Sequence, residues 1–461
     1  MNNMFLFGEE TELTVDKGLE FDALSTLWNG FTCRTGRIKV KHGEDNQMII
    51  GNGKIIPLDE ADEYTVSVQE DGVAVNGRDK NCLMRGIISF LMSVIQLPPE
   101  NSEQIFGAEC REFHGNFKIH NRMVHICVFP ETTFSMFERI MRLCAVLQYT
   151  HIIVEFWGML KYDCLKELAW EHAFEKSEVK KVLDEVRAMG SQPVPMFNHL
   201  GHASQCREKY GKHVVLDQNP LKQYLFTPDG WAWNIQSDET KALLRKVRNE
   251  LYELFGDGEY IHIGCDEAFI YGNGYIDKRI VGEYLGELTH EIVKLGRKPI
   301  MWGDMLISTE ETGCGWPEYY CAEKNKKDAE IMRKYIASET IIADWQYWVK
   351  EAPVKTSAFF EEKGFDTLIC PWCDGVNINA CVDTAMEINA FGIIETTWHT
   401  LSNGMVSLLG CAKRCGLVSP SWAEYVKDES HLATLLRKVT YSKECYEEYG
   451  FSKYQTGDML I

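Results

Sequence analysis

Two adjacent carboxylates, Asp266 and Glu267, follow a short apolar run that begins at Tyr260. Tyr260 to Ile263 reads as a buried strand, and Gly264 permits a tight backbone exit, so the two acids fall just beyond the strand's carboxyl end. A carboxylic acid at such a place can donate and accept protons in catalysis. The alternative is a structural role, in which one of the two acids caps the helix that follows.

Polar and aromatic side chains also follow the other predicted strands. They include Trp and Tyr beside Asp, His and Glu, a combination that suits a sugar, because aromatic rings stack on its apolar face while charged groups bond its hydroxyls. We expect the following residues at one mouth: Glu155, Asn198, His199, His202, Trp302, Asp304, Trp345, Tyr347, Trp348, Trp372, Asp374 and Trp398.

These positions depend on a pattern of alternating strands and helices that starts near residue 120. The eight predicted strands are Met123–Phe129, His151–Phe156, Gln192–Phe197, Tyr260–Ile263, Lys298–Trp302, Ile341–Trp345, Asp366–Cys370 and Gly392–Thr397. The helices predicted between them include Met136–Leu147, Ser177–Met189, Asp238–Phe255, Ile280–Leu295 and Lys326–Ile336. Eight apolar strands alternating with helices predict a (β/α)8 TIM barrel, whose chemistry lies at the carboxyl ends of its strands. A doubly wound open sheet is the alternative, but no Gly-x-Gly-x-x-Gly follows the first strand.

The rest of the chain divides into an N-terminal domain and a tail. Residues 1–105 are predicted to form a small α+β domain, with a hairpin around Asp71-Gly and a helix over Asn81–Gln96. Residues 106–420 form the predicted catalytic barrel. Residues 421–461 are predicted to be a charged, helical and solvated tail.

Composition limits the class of protein. The net charge of −20 disfavours nucleic acid as a partner, because that binding depends on Lys and Arg. We expect neither a secretory signal nor a membrane-spanning segment. The sixteen cysteines are scattered along the chain, which favours free thiols and a cytoplasmic location.

The motif His262-Ile-Gly-Cys-Asp266-Glu267 resembles the His-x-Gly-Gly/Ala-Asp-Glu signature of glycoside hydrolase family 20, the β-N-acetylhexosaminidases. The segment Pro195-Met-Phe-Asn-His-Leu-Gly-His202 and Trp398 at the end of the last strand are also similar to that family. The N-terminal hairpin and helix look like its small noncatalytic domain. The resemblance covers most of the chain.

The resemblance implies substrate-assisted catalysis, in which the sugar's 2-acetamido oxygen attacks its own anomeric carbon. Glu267 would be the general acid and base, and Asp266 would orient the acetamido group and stabilise the developing charge. It further implies that Arg122 binds outer sugar hydroxyls, that His202 lies near the acid/base, and that Trp302, Trp345 and Trp398 form the pocket wall.

Three departures from the family concern substrate recognition. Glu155 stands in the segment where many members pair an acid with the histidine. Trp372-Cys-Asp374 replaces the family's Tyr-x-Asp, so Tyr347 becomes the candidate for the missing phenol. Trp398-His-Thr400 replaces Trp-x-Glu.

The predicted function is therefore an exo-acting, retaining β-N-acetylhexosaminidase that needs no metal or cofactor. Its predicted substrate is a small oligosaccharide or glycoconjugate. GlcNAc or GalNAc specificity, substitution of the sugar and a homodimer are left open. Two alternatives are a sugar-binding barrel without turnover and a two-carboxylate retaining hydrolase that uses Glu155 and Glu267. We also considered a metal pair at His199 and His202 and a redox pair at Cys370 and Cys373, and disfavoured both.

Overall fold

The N-terminal part of the protein is a β-rich unit. The computed structural model describes residues 3–100, 103–203, 214–217, 219–398 and 404–440. The elements of this first unit are β1 (Met4–Phe7), β2 (Glu10–Asp16), α1 (Phe21–Phe31), β3 (Arg37–Gly43), β4 (Gln47–Gly51), β5 (Tyr64–Gln69), β6 (Gly72–Gly77), α2 (Lys80–Ser93), β7 (Ile95–Glu100), β8 (Glu103–Glu109) and β9 (Arg111–His114). They form a six-stranded sheet in the order β3-β2-β4-β6-β5-β9 and a three-stranded sheet in the order β1-β8-β7.

The predicted hairpin and helix of this unit are both present. Strands β5 and β6 pair antiparallel, with Val66 opposite Val75, and α2 begins at an Asp79 cap that accepts from the Cys82 amide. The strand pairing extends beyond the predicted boundary at residue 105, because β8 spans it and β9 pairs with β5. The unit therefore includes strands as far as His114.

Eight parallel strands close into a barrel, as predicted. They are β10 (Asn121–Val128), β11 (His151–Phe156), β12 (Gln192–Met196), β13 (Tyr260–His262), β14 (Lys298–Trp302), β15 (Ile341–Trp345), β16 (Thr367–Cys370) and β17 (Gly392–Thr396). Closure occurs through β10 and β17, with Met123 opposite Ile394. Each predicted strand overlaps one of these eight, because a strand buried on both faces must be apolar along its length.

Helices surround the barrel, and the longer ones bury an apolar face. They are α3 (Phe134–Val146), α4 (Lys176–Ala188), α5 (Val214–Asp217), α6 (Asp238–Phe255), α7 (Phe269–Gly272), α8 (Lys278–Lys294), α9 (Thr309–Thr312), α10 (Lys326–Tyr335), α11 (Lys355–Glu362), α12 (Gly375–Glu387), α13 (Met405–Cys415) and α14 (Asp428–Val439). Inside the barrel, Met123, Ile153, Val194, Ile300, Leu368 and Ile394 form a separate apolar cluster. This packed interior is a rigid floor for side chains at the strand ends.

The described part of the C-terminal segment packs against the N-terminal unit. Helix α14 buries Leu432, Leu435 and Val439, and the Lys438 ammonium donates to the Phe31 carbonyl at 2.7 Å. A side chain at Gly30 would meet the Lys438 carbonyl oxygen at 2.3 Å. We expected a solvated segment, and that expectation is wrong for α14 because its apolar stripe is covered. Residues 441–461 lie outside the described residues.

Among the described residues, no helix has the length and apolar character needed to cross a membrane. All cysteines in the same part of the chain are free, and most are buried.

Candidate active site

The chain leaves β13 through an unusual turn that places both acids at the barrel mouth. Gly264, Cys265 and Glu267 all have positive φ angles, of 66°, 75° and 46°. A side chain at Gly264 would meet the Asn198 amide oxygen at 1.9 Å, so only glycine fits there. Non-glycine residues held at positive φ cost free energy and are concentrated at functional sites.

The helix-cap alternative for these acids is wrong. The next helix, α7, begins after Ala268 and has no side-chain cap. Asp266 is buried, whereas the Glu267 side chain is 27% exposed. One acid is therefore largely shielded from solvent while its neighbour remains reachable.

His202 joins the two carboxylates. Its Nε2 atom lies 3.2 Å from an Asp266 oxygen and 3.1 Å from a Glu267 oxygen. Its ring packs against Trp231 at 4.6 Å, and the Trp231 indole donates to the Glu267 carbonyl at 2.6 Å. The histidine therefore fixes the separation of the two acids.

Asp304 positions Glu267 from the next strand end. Its Oδ2 atom accepts from the Glu267 amide at 2.8 Å, and its Oδ1 atom accepts from the Trp345 indole at 3.3 Å. Burial, together with the charge of Asp266, raises the pKa of Asp304 well above its usual value. The sequence left its role open, and these contacts place it behind Glu267.

The predicted aromatic residues come together in a connected wall. The rings of Trp302 and Trp398 are 5.5 Å apart, and Trp345 stacks on Tyr347 at 5.4 Å. Trp372 lies 5.2 Å from Tyr347. The Trp398 indole donates to the Tyr347 hydroxyl at 2.7 Å, which links the ends of the sixth and eighth barrel strands.

Arg122 lies at the opposite end of the barrel, so its predicted role in sugar binding is wrong. It stands at the start of β10, and six residues of extended chain, about 20 Å, separate it from Val128 at the mouth. Its guanidinium donates to both Glu63 oxygens, at 2.8 and 3.0 Å, and lies 3.6 Å from the Phe117 ring centre. These contacts attach the N-terminal unit to the barrel.

The Asp374 carboxylate bonds other groups of the protein. It caps α12 by accepting from the Val376 amide at 2.8 Å, and it forms an ion pair with Lys350. A sugar contact by Asp374 stays a prediction. His399 and Thr400, part of the predicted departure from the family at Trp398, lie outside the described residues.

His199 is a core residue, and it belongs to neither of the two three-ligand groups that could hold a metal in the described part of the chain. It is fully buried, and burial lowers its pKa to about 3, so the imidazole is neutral. Its Nδ1 atom lies 2.6 Å from the Phe197 carbonyl oxygen. Cys370 and Cys373 are both free, and burial raises the pKa of the Cys370 thiol well above its usual value, which disfavours the thiolate that redox chemistry needs.

Sequence reasoning missed Trp231 and His125. Trp231 comes from the long connection between α5 and α6, and only its place in a Trp-Ala-Trp sequence set it apart. His125 is on β10, where alternation with Cys127 was the available signal. The His125 ring lies 4.9 Å from Trp398 and 5.7 Å from Trp302.

Comparison with known families identifies this arrangement. Residues 158–436, more than half of the chain, match the model of the glycosyl hydrolase family 20 catalytic domain. Hexosaminidase D of Bos taurus is 26% identical over 174 residues, which are 35% of this chain and 48% of that protein. Hexosaminidase D of Homo sapiens is 25% identical over 212 residues, 43% of this chain and 42% of that protein. The chain thus spans less than half the length of these curated relatives.

Solved structures of the same family share the fold. A Streptomyces plicatus β-hexosaminidase variant in complex with GlcNAc superposes with a TM-score of 0.67 at 13% identity, covering 96% of this chain and 93% of that one. The exo-β-N-acetylglucosaminidase from Vibrio harveyi gives 0.65 at 15% identity, covering 96% and 76%. Together with the family match, these likenesses show that the chain belongs to glycosyl hydrolase family 20.

Proposed function

We propose that the protein is an exo-acting β-N-acetylhexosaminidase that releases terminal β-linked GlcNAc or GalNAc with retention of configuration. The observation that carries the proposal is the His202 contact to both Asp266 and Glu267 at the barrel mouth. The aromatic wall beside these acids suits a sugar ring, and the curated relatives are hexosaminidases. The substrates we propose are small oligosaccharides or glycoconjugate fragments in the cytoplasm.

In the first step the substrate supplies its own nucleophile. The acetamido oxygen forms a bond to the anomeric carbon while the glycosidic bond breaks, and Glu267 gives its proton to the departing oxygen. Asp266 accepts a hydrogen bond from the acetamido N–H and stabilises the positive charge of the oxazolinium ion. Burial of Asp266 strengthens that interaction, because little water screens it.

In the second step the ionised Glu267 removes a proton from water, which attacks the anomeric carbon and reopens the oxazolinium ring. The partial exposure of Glu267 suits this role, since the residue must meet both the leaving group and water. Asp304 holds the Glu267 amide throughout. We assign Tyr347, held by the Trp398 indole, to the acetamido oxygen in place of the phenol that the sequence lacks after the seventh strand.

The two-carboxylate alternative fits the contacts of Glu155 poorly. That residue is buried, its Oε2 atom lies 3.3 Å from His125, and its Oε1 atom accepts from the Asn198 amide at 3.3 Å. A nucleophile must be able to reach the anomeric carbon, and these contacts direct both oxygens into the barrel.

The test is release of p-nitrophenol from its β-GlcNAc and β-GalNAc glycosides. We expect Glu267→Gln and Asp266→Ala to lower kcat by about 10²–10⁴-fold, and a thiazoline analogue of the oxazoline to inhibit the native protein. Glu259→Gln is the matched control, since Glu259 precedes the same strand and pairs with Lys298 at the other end of the barrel.

Activity that resists the thiazoline would favour a protein nucleophile over the acetamido group. A folded native protein with no activity on either sugar would contradict the proposal and favour a sugar-binding barrel.

A further inference from the structure

Three chemically different side chains meet where the first two barrel strands end. His125 and Cys127 are two residues apart on β10, so they share one face of that strand. Glu155 stands opposite Cys127 in the pairing of β10 with β11. All three are buried, and the mechanism above assigns them no role.

The ligand atoms of this cluster form a nearly equilateral triangle. His125 Nε2 lies 3.3 Å from Glu155 Oε2, Cys127 Sγ lies 3.4 Å from the same oxygen, and Sγ and Nε2 are 3.5 Å apart. A charge-assisted histidine–carboxylate hydrogen bond is normally about 2.7–2.9 Å long, so this contact is long for an ion pair. Tetrahedral zinc, with bonds of about 2.0–2.3 Å, places its ligands about 3.3–3.6 Å apart, which matches all three edges.

The donor set also favours zinc over the hard cations. Imidazole and thiolate suit zinc, whereas magnesium and calcium prefer oxygen ligands alone. A divalent ion would offset the cost of burying the Glu155 carboxylate. The Asn198 amide, which donates to the second oxygen of Glu155, would hold the carboxylate in orientation.

We propose that His125, Cys127 and Glu155 bind one zinc ion beside the pocket wall, with a water or other ligand at the fourth position. Binding releases the Cys127 thiol proton to solvent and forms a zinc–thiolate bond. The ion then fixes His125 against Trp398 and joins the ends of the first two barrel strands. The proposal does not depend on the hydrolytic reaction, because the ion is not assigned a catalytic step.

The first test is the metal content of the purified protein after growth with added zinc. We expect about one zinc per chain in the native protein, and far less in Cys127→Ser. Cys381→Ser is the matched control, since Cys381 is another buried thiol, packed in a separate apolar cluster. Circular dichroism checks that each variant is folded.

The second test replaces zinc with cobalt during growth, because a thiolate ligand gives cobalt a near-ultraviolet charge-transfer band. We expect the band in the native protein, and bound cobalt without the band in Cys127→Asp, which keeps a ligand but removes the sulfur. The other three-ligand group in the described part of the chain, Asp59, Asp62 and His114, has no thiol, so His114→Ala should keep the band.

A folded native protein with well under one equivalent of zinc and no cobalt–thiolate band would overturn the proposal. A band that persists in Cys127→Asp would also overturn it, because the sulfur would then come from another cysteine. Equal loss of zinc in Cys127→Ser and Cys381→Ser would do the same.

Discussion

The two ends of the barrel hold buried acids in opposite ways. At the amino end, Glu63 accepts from both Arg122 and Arg85 at 2.8 Å. Burial raises the pKa of Glu63, but the two guanidinium groups outweigh it and hold the pKa below its usual value. At the carboxyl end, burial and the charge of Asp266 raise the pKa of Asp304.

We infer from this difference that the acid at the amino end attaches two parts of the chain, whereas the acids at the carboxyl end serve the chemistry. A carboxylate matched with arginine is stable when ionised and joins two parts of the chain. Asp304, buried beside the charge of Asp266, is disfavoured in its charged form, and such perturbed groups are typical of catalytic sites. Substitutions at the amino end should therefore change stability, and substitutions at the mouth should change turnover.

The largest expected effect is on stability, from Arg122→Met. Removing this guanidinium leaves Glu63 buried beside Arg85 alone, and loss of one partner of a buried ion pair costs about 3–5 kcal/mol. Urea unfolding measures the free energy of unfolding, and kinetics on the folded fraction should give an unchanged KM. Arg279→Met, on an exposed face of α8, is the control. A raised KM at unchanged stability would instead restore the sugar-binding role that the resemblance implied.

Glu395 provides a third case, a buried acid that faces the helix layer. It lies on β17 beside Ser407 and Cys411 of α13, and burial raises its pKa to about 8. The folded state therefore binds this proton more tightly than the unfolded chain does. The stability of the folded protein that depends on this protonated carboxyl group is fully present below about pH 4.5. It is lost as the pH rises towards 8.

Glu395→Gln should remove this pH dependence. We expect the variant to be more stable than the native protein at pH 8 by about 4 kcal/mol, and the two to converge near pH 4.5. Thermal unfolding measured across this range is the test. An unchanged slope of stability against pH would show that the carboxyl group is ionised in the folded protein at neutral pH.

At the mouth, Asp304→Asn should lower kcat by about 10–100-fold. The Glu267 amide now donates a hydrogen bond to Asp304 Oδ2, and an asparagine nitrogen in the place of that oxygen cannot accept it. Stability at neutral pH should be retained or increased, since the substitution removes a carboxyl group whose ionised form is disfavoured. Asp383→Asn, at a half-buried ion pair with Arg414, is the control. Equal losses of stability and turnover would make Asp304 a structural residue.

The sequence predicted the barrel well because its strands are apolar along their length and follow one another at regular intervals. It missed strands such as β1 and β8, whose exposed positions interrupt the pattern. Asp266 and Glu267 were found from their place after a strand. The role of Arg122 was taken from the resemblance, although its position at the start of the first barrel strand puts it at the amino end, away from the mouth.

Trp231 marks a second limit of sequence reasoning. Its indole reaches the Glu267 carbonyl from a long connection, and no strand or helix pattern predicts that contact. Likewise, the triangle of His125, Cys127 and Glu155 depends on the register between two strands. Such register is set by the whole barrel and is not visible in either segment alone.

The smallest expected effect is that of Tyr347→Phe at the mouth. The substitution keeps the ring that stacks on Trp345 and removes the hydroxyl that accepts from the Trp398 indole. One buried hydrogen bond is worth about 1 kcal/mol, so kcat/KM on the p-nitrophenyl β-GlcNAc glycoside should fall by about 10-fold or less. The affinity for the thiazoline should fall in parallel, because both depend on the acetamido position.

Tyr319→Phe is the control, since that hydroxyl accepts from the Lys355 amide within a different cluster. If kcat/KM falls while thiazoline binding is unchanged, Tyr347 acts on the wall alone and the acetamido oxygen is held by another group.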